Sequence, residues 1–200
     1  MRALSLALIL LLGNATSVRE DIYFPKGIFG GITRYVCAYH LGIFREPSLL
    51  QESKESGLES YRFLWLRTFH HAVVIRINVL KNGTGKLFAK SSSGEAGFAE
   101  PNRKIVEDIS RSLSRDELRR FLKALNETRF WSIPTVRKAD QTGEDGADWL
   151  LEGVKDGKYH AVLRWSPCGR SGPGKREVCS LGSELAFDLV HMNIPKDEVY

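Results

Sequence analysis

Residues 73–90 read VVIRINVLKNGTGKLFAK, and this stretch decides the fold. Val73, Ile75, Ile77 and Val79 alternate with Val74, Arg76, Asn78 and Leu80. That is the two-residue period of a strand with one strongly apolar face. Lys81, Asn82 and Gly83 supply turn chemistry, and residues 84–90 return as a second strand. A three-residue loop with Gly83 left-handed sets Ile77 opposite Leu87 and Ile75 opposite Ala89. A two-residue Asn-Gly turn sets Ile77 beside Phe88 and Val79 beside Lys86, a less consistent face. The three-residue loop is the expectation.

A second hairpin lies downstream. Residues 148–154 and 158–165 flank Asp156-Gly157, a type I′ turn signal. With Lys155 facing Lys158, Leu150 meets Leu163, Leu151 meets Val162, Gly153 meets His160 and Trp149 meets Arg164. Both faces are largely apolar, which suits a central or well-covered pair. Residues 104–113 read as an extra strand. Between the hairpins, Ser114-Arg115-Asp116-Glu117 is a capping box, with Leu113 and Leu118 as its hydrophobic staple. Leu118, Phe121, Leu122 and Leu125 then form one helical stripe. Residues 178–192 read as a second amphipathic helix, stopped by Pro195. These elements predict an α+β fold, an antiparallel sheet of two hairpins and an added strand packed against two helices.

The flanks read differently. Residues 3–12, ALSLALILLL, follow Arg2 and precede small residues at Ala15 and Ser17. This is the three-part pattern of an export signal, too short to span a bilayer, with cleavage expected before Val18. The expected organisation is a signal at 1–17, an arm at 18–58 and an α+β domain at 59–200. Within the arm, residues 32–41 fit a short helix or a buried strand, and residues 51–60 read as a polar linker.

Composition sets outer limits. Of 200 residues, 42% are hydrophobic and 26% charged, which excludes wholesale disorder. No later apolar run approaches the roughly 20 residues of a membrane span. The formal charge is +5. Arg111, Arg115, Arg119, Arg120 and Lys123 resemble a solvated surface, and no nucleic-acid motif accompanies them, so nucleic acid is not the expected partner. In an oxidising compartment Cys168 and Cys179 are the expected disulfide, leaving Cys37 odd.

Three blocks carry a family resemblance: residues 59–71 (ESYRFLWLRTFHH), Phe130-Trp131 through Pro134-Thr135, and residues 145–167 with Asp148-Trp149, Glu152-Gly153, His160 and Arg164-Trp165. Over about residues 59–167 the chain resembles a group of bacterial exported proteins of uncharacterised function. The resemblance implies a periplasmic or secreted protein and supplies no reaction. Ala72 stands where that group has a proline after the histidine pair.

The candidate site residues are His70, His71, Trp149, Glu152, His160 and Arg164. Adjacent strand residues point to opposite faces, so His70 and His71 cannot chelate one metal together. Either could join His160 as a metal ligand or general base. Trp149 opposite Arg164 suggests a cation–π pair. Glu152 sits among apolar neighbours: burial would raise its pKa and make it an acid or base candidate, but an edge position with solvent access is the expectation. Asp140, Glu144, Asp145 and Asp148 lack calcium-loop order. No phosphate loop, dinucleotide fingerprint or nucleophile elbow occurs, so no cofactor or metal is implied. The expected function is an exported domain that binds a small ligand or an envelope or extracellular partner. The alternative is an exported metal-assisted or acid–base hydrolase using His70 or His71 with His160.

Overall fold

The computed structural model describes residues 20–55, 57–97, 102–136, 145–168, 172 and 174–200. The expected export signal, Asp140 and Glu144 lie outside these residues. Six strands form one antiparallel sheet: β1 Ser60–Arg67, β2 Val73–Val79, β3 Gly85–Ser92, β4 Ile105–Leu113, β5 Ala147–Lys155 and β6 Lys158–Trp165. The spatial order is β4-β3-β2-β1-β5-β6, so both hairpins flank a central β1.

Turn chemistry set both registers. Ile77 faces Leu87 and Ile75 faces Ala89, as a three-residue loop requires. Gly83 is left-handed at φ 79°, and Asn82 Oδ1 accepts from the Thr84 amide at 3.0 Å. In the second hairpin Leu150 faces Leu163, Gly153 faces His160 and Trp149 faces Arg164.

Helices cover both faces. On one, α4 Arg115–Glu127 begins with the complete Ser114–Glu117 capping box. Its Leu118, Phe121 and Leu125 pack with Tyr61, Phe63, Trp65, Ile75 and Leu87. The same face receives α5 Lys175–Ser183, continued by a π-helical turn at Glu184–Leu189. The C-terminal helix thus starts earlier than its apolar periodicity suggested and ends at Leu189. A Cβ on Gly182 would lie 2.4 Å from the Trp149 ring, so only glycine lets α5 come this close. The Cys168–Cys179 disulfide ties the α5 helix to the segment leaving β6, with Cα atoms 5.2 Å apart.

The opposite face is covered by the N-terminal segment. Here α1 is Glu20–Tyr23, α2 Gly31–Ile43 and α3 Leu49–Glu52. Phe24, Phe29, Cys37, Leu41 and Phe44 pack over Leu64, Leu66, Val74, Leu150 and Leu163. Residues 32–41 are therefore helical, and the stretch read as a polar linker contains part of α3. The sheet is a middle layer, which explains why every residue of β1 is buried.

Candidate functional site

A charged cluster is sealed between the sheet and the N-terminal layer. Arg62 on β1 and Glu152 on β5 are register partners with 0% and 1% residual exposure. Arg62 Nε and Nη2 lie 2.8 and 2.7 Å from Glu152 Oε2. The Tyr159 hydroxyl donates to Glu152 Oε1 at 2.8 Å, and Arg62 Nη1 donates to the Pro47 carbonyl at 2.6 Å. Glu46 accepts from Arg76 Nε at 2.7 Å and Lys90 Nζ at 2.9 Å. Burial alone would raise the Glu46 carboxyl, but Arg62, Arg76 and Lys90 outweigh it and hold it below its usual range. The expected solvent-accessible position of Glu152 is thus corrected: β5 lies inside the sheet, and Arg62 satisfies the carboxylate. Arg62, Glu152 and Glu46 are paired within this cluster and line neither of the clefts described below, so they act as a clamp between layers.

His160 and Arg164 also serve the framework. His160 Nε2 lies 3.0 Å from the Ile133 carbonyl oxygen, and its ring packs on Phe130 and Trp131. Burial lowers its pKa, against the opposing pull of the Ile133 and Phe130 carbonyls. Arg164 is fully buried and donates to the carbonyls of Pro134, Thr135 and Leu163 at 2.8, 3.2 and 2.7 Å. The expected Trp149–Arg164 cation–π pair is therefore replaced by carbonyl contacts that fasten residues 133–135 along β6. Trp149 instead packs against Phe63 and Trp65 with its ring tilted at 47° and 52° to theirs, at centroid distances of 5.0 and 4.9 Å, and its Nε1 donates to the Tyr200 backbone oxygen at 2.7 Å.

The histidines do not converge. His160 is level with Tyr61, because both pair with Gly153. His70 and His71 follow Arg67 at the other end of β1, about 20 Å away along the strand. Among the described residues, no group of three or more His, Cys, Asp or Glu could hold a metal ion.

At the His70 end a different constellation assembles. His70 Nδ1 lies 2.9 Å from the Tyr200 hydroxyl, and its Nε2 lies 3.5 Å from Glu198 Oε2. Glu198 also accepts from Arg67 Nη1 at 2.9 Å. Arg67 shares the inward parity of Phe63 and Trp65; its guanidinium lies 4.7 Å from the Trp65 ring centroid and its side chain is 5% exposed. Burial pulls the Arg67 pKa below its ordinary value, and Glu198 offsets this only in part. Nε of Arg67 is buried without a hydrogen-bond partner. Beside this group runs a groove of about 510 Å³ between the β1–β4 end of the sheet and the segment after α5. Val73, Ala89, Ile109, Met192 and Ile194 give it apolar walls, Arg67, Lys90, Glu107 and Glu198 give it charge, and His71 lies at its side. His71 is exposed, with Nδ1 3.2 Å from the Gly94 carbonyl oxygen.

A second cleft, of about 530 Å³, lies beside Trp131, Lys155, Lys158, Tyr159 and His160. Lys155, Tyr159 and His160 are already engaged by Glu59, Glu152 and Ile133. The Arg67 groove sets charged side chains beside apolar walls, and behind it Arg67 Nε has no hydrogen-bond partner among the described residues, which makes it the stronger binding candidate. The sequence carried one sign of it: a charged residue, Arg67, in phase with a buried aromatic row. Glu198 and Tyr200 had no such sign, being more than 100 positions away.

Among the described residues no helix is long and apolar enough to cross a membrane. Compared with known proteins, the chain matches no family model and no curated sequence.

Proposed function

We propose that this chain is an exported, bacterial-type binding domain whose ligand occupies the Arg67 groove. The Cys168–Cys179 disulfide supports an oxidising compartment. The observation that carries the binding reading is the buried Arg67 guanidinium, with Nε unpartnered beside apolar walls. A guanidinium so placed favours a carboxylate, and the walls favour an aliphatic tail. The ligand class is a small, partly apolar carboxylate. Calorimetric titration with hexanoate tests this: saturable binding is expected, and it should weaken at least about tenfold in Arg67→Gln. Equal affinity of the two proteins would remove Arg67 from the site.

One observation favours an acid–base reading. His70 sits between a phenol and a carboxylate, the arrangement that orients an imidazole for proton transfer. In that reading His70 acts with Glu198 and Tyr200, and His160 has no part. Turnover of a carboxylic ester that disappears in His70→Gln, with hexanoate binding retained, would favour it over binding alone.

A further inference from the structure

The β4 edge carries a pattern that a second copy of this chain can read. On its other side the sheet ends at β6, where residues 133–135 fasten on: the Leu163 amide donates to the Thr135 carbonyl at 2.8 Å. β4 is nine residues long and contains no proline, and residues 106–110 are all exposed. Val106 and Ile109 are 56% and 42% exposed. A bulge interrupts the register beyond Glu107, and the regular edge over residues 107–113 is the part open to strand addition.

The register fixes which backbone groups are free. The Leu80 amide donates to the Thr84 carbonyl, which makes those two a hydrogen-bonded pair. Antiparallel pairs alternate, so Lys86, Phe88 and Lys90 bond toward β2, and Leu87, Ala89 and Ser91 bond toward β4. On β4 their partners are Arg111, Ile109 and Glu107. Asp108, Ser110 and Ser112 therefore direct their N–H and C=O groups outward, while the register breaks at Val106, between the Ser91–Glu107 and Ser92–Ile105 pairs. A second β4 strand, running antiparallel, must meet outward residues with outward residues.

Few symmetric registers satisfy that rule, and charge separates them. Centring on Glu107, Asp108 or Arg111 sets that charge against its own copy. Centring on Ser110 sets Glu107 against Leu113 and Ile109 against Arg111. Centring on Ile109 sets Ile109 on Ile109 and Glu107 on Arg111, twice by symmetry. Asp108 then exchanges backbone bonds with Ser110, and the regular pairing ends at the break beyond Glu107. The existing contacts tolerate this. Glu107 uses Oε2 for the Ser91 hydroxyl, leaving Oε1 free of any such bond, and Arg111 holds the Ser112 carbonyl only at 3.2 Å in an exposed contact. Its bonds to Glu117 and to the Leu189 carbonyl leave further donors.

We infer that the chain forms a twofold dimer by antiparallel β4–β4 pairing centred on Ile109. The two six-stranded sheets become one continuous sheet across the seam. A strand pair this short lies at the low end of specific interfaces, below about 1,200 Å², so affinity no tighter than the micromolar range is expected. The seam borders the Arg67 groove, which Glu107 and Ile109 also line, but the oligomeric state is read without ligand, so the two proposals fail separately.

Sedimentation equilibrium of the oxidised chain at up to about 100 μM tests it. Dimerisation is expected, with Ile109→Lys, at an exposed position, leaving a folded monomer by circular dichroism. Glu107→Arg and Arg111→Glu should each raise the dissociation constant about tenfold, and the double variant should restore it. A wild-type monomer throughout that range overturns the inference. So does a dimer that survives Ile109→Lys, or folded charge variants whose combination restores nothing.

Discussion

Arg62 and Glu152 meet across β1 and β5 with two guanidinium–carboxylate contacts of 2.7–2.8 Å, both side chains removed from solvent. Removing one partner leaves a buried, uncompensated charge. Glu152→Leu should cost about 3–5 kcal/mol in urea unfolding, and Arg62→Leu/Glu152→Leu should recover much of the loss. Additive single-site losses would show that the two groups are not coupled. The Pro47 carbonyl and Glu46 also hang on Arg62, so hydrogen exchange in residues 20–52 should quicken first.

The buried groups predict a fall in stability with acid. His40 is fully buried, and burial lowers its pKa from 6.5 to about 4. Its protonation is easier in the unfolded chain, so stability falls as pH drops from 6.5 toward 4. The depressed Glu46 adds a second loss as pH falls below its ordinary 4.5. Asp148 works in the opposite sense: burial raises it from 3.8 to about 6, and its contribution is lost as pH rises through that window. Asp148→Asn should therefore raise the melting temperature at pH 8 and leave it nearly unchanged at pH 3. A substitution effect independent of pH would contradict the burial of this carboxyl.

Gly182 lets the α5 helix rest on Trp149. Gly182→Ala improves helix propensity but pushes a methyl group into the indole, so a net loss of about 1–3 kcal/mol is expected. A gain in thermal stability would mean that the helix can lift from the sheet without penalty.

The disulfide closes a separation of 11 residues. Reduction should cost about 2–3 kcal/mol in the chain-entropy model. Cys37 is wholly buried and burial raises its thiol pKa, so it should react with a thiol reagent only on unfolding. Rapid labelling in the native state would refute that placement.

Both hairpins were legible because register is fixed locally: Asp156-Gly157 selects a two-residue loop, and at Lys81-Asn82-Gly83 the match of apolar faces separates the three-residue loop from the two-residue one. The Ser114–Glu117 cap was legible for the same reason. The N-terminal layer was not: α1 and α3 are four residues each, too short for a period, and α2 stands by packing on Leu64 and Val74. Glu152 was read as solvent-facing because its partner, Arg62, is 90 positions away. His160 looked chemical by type, but its ring nitrogen holds the Ile133 carbonyl.

Chemical-shift mapping of the isotope-labelled protein with hexanoate decides whether ligand enters the proposed Arg67 groove. Saturable shifts are expected at the Arg67 Nε–H and in the side chains of Met192 and Ile194, lost in Arg67→Gln. Shifts confined to Trp131, Lys158 and His160, or none at millimolar hexanoate, would contradict that placement.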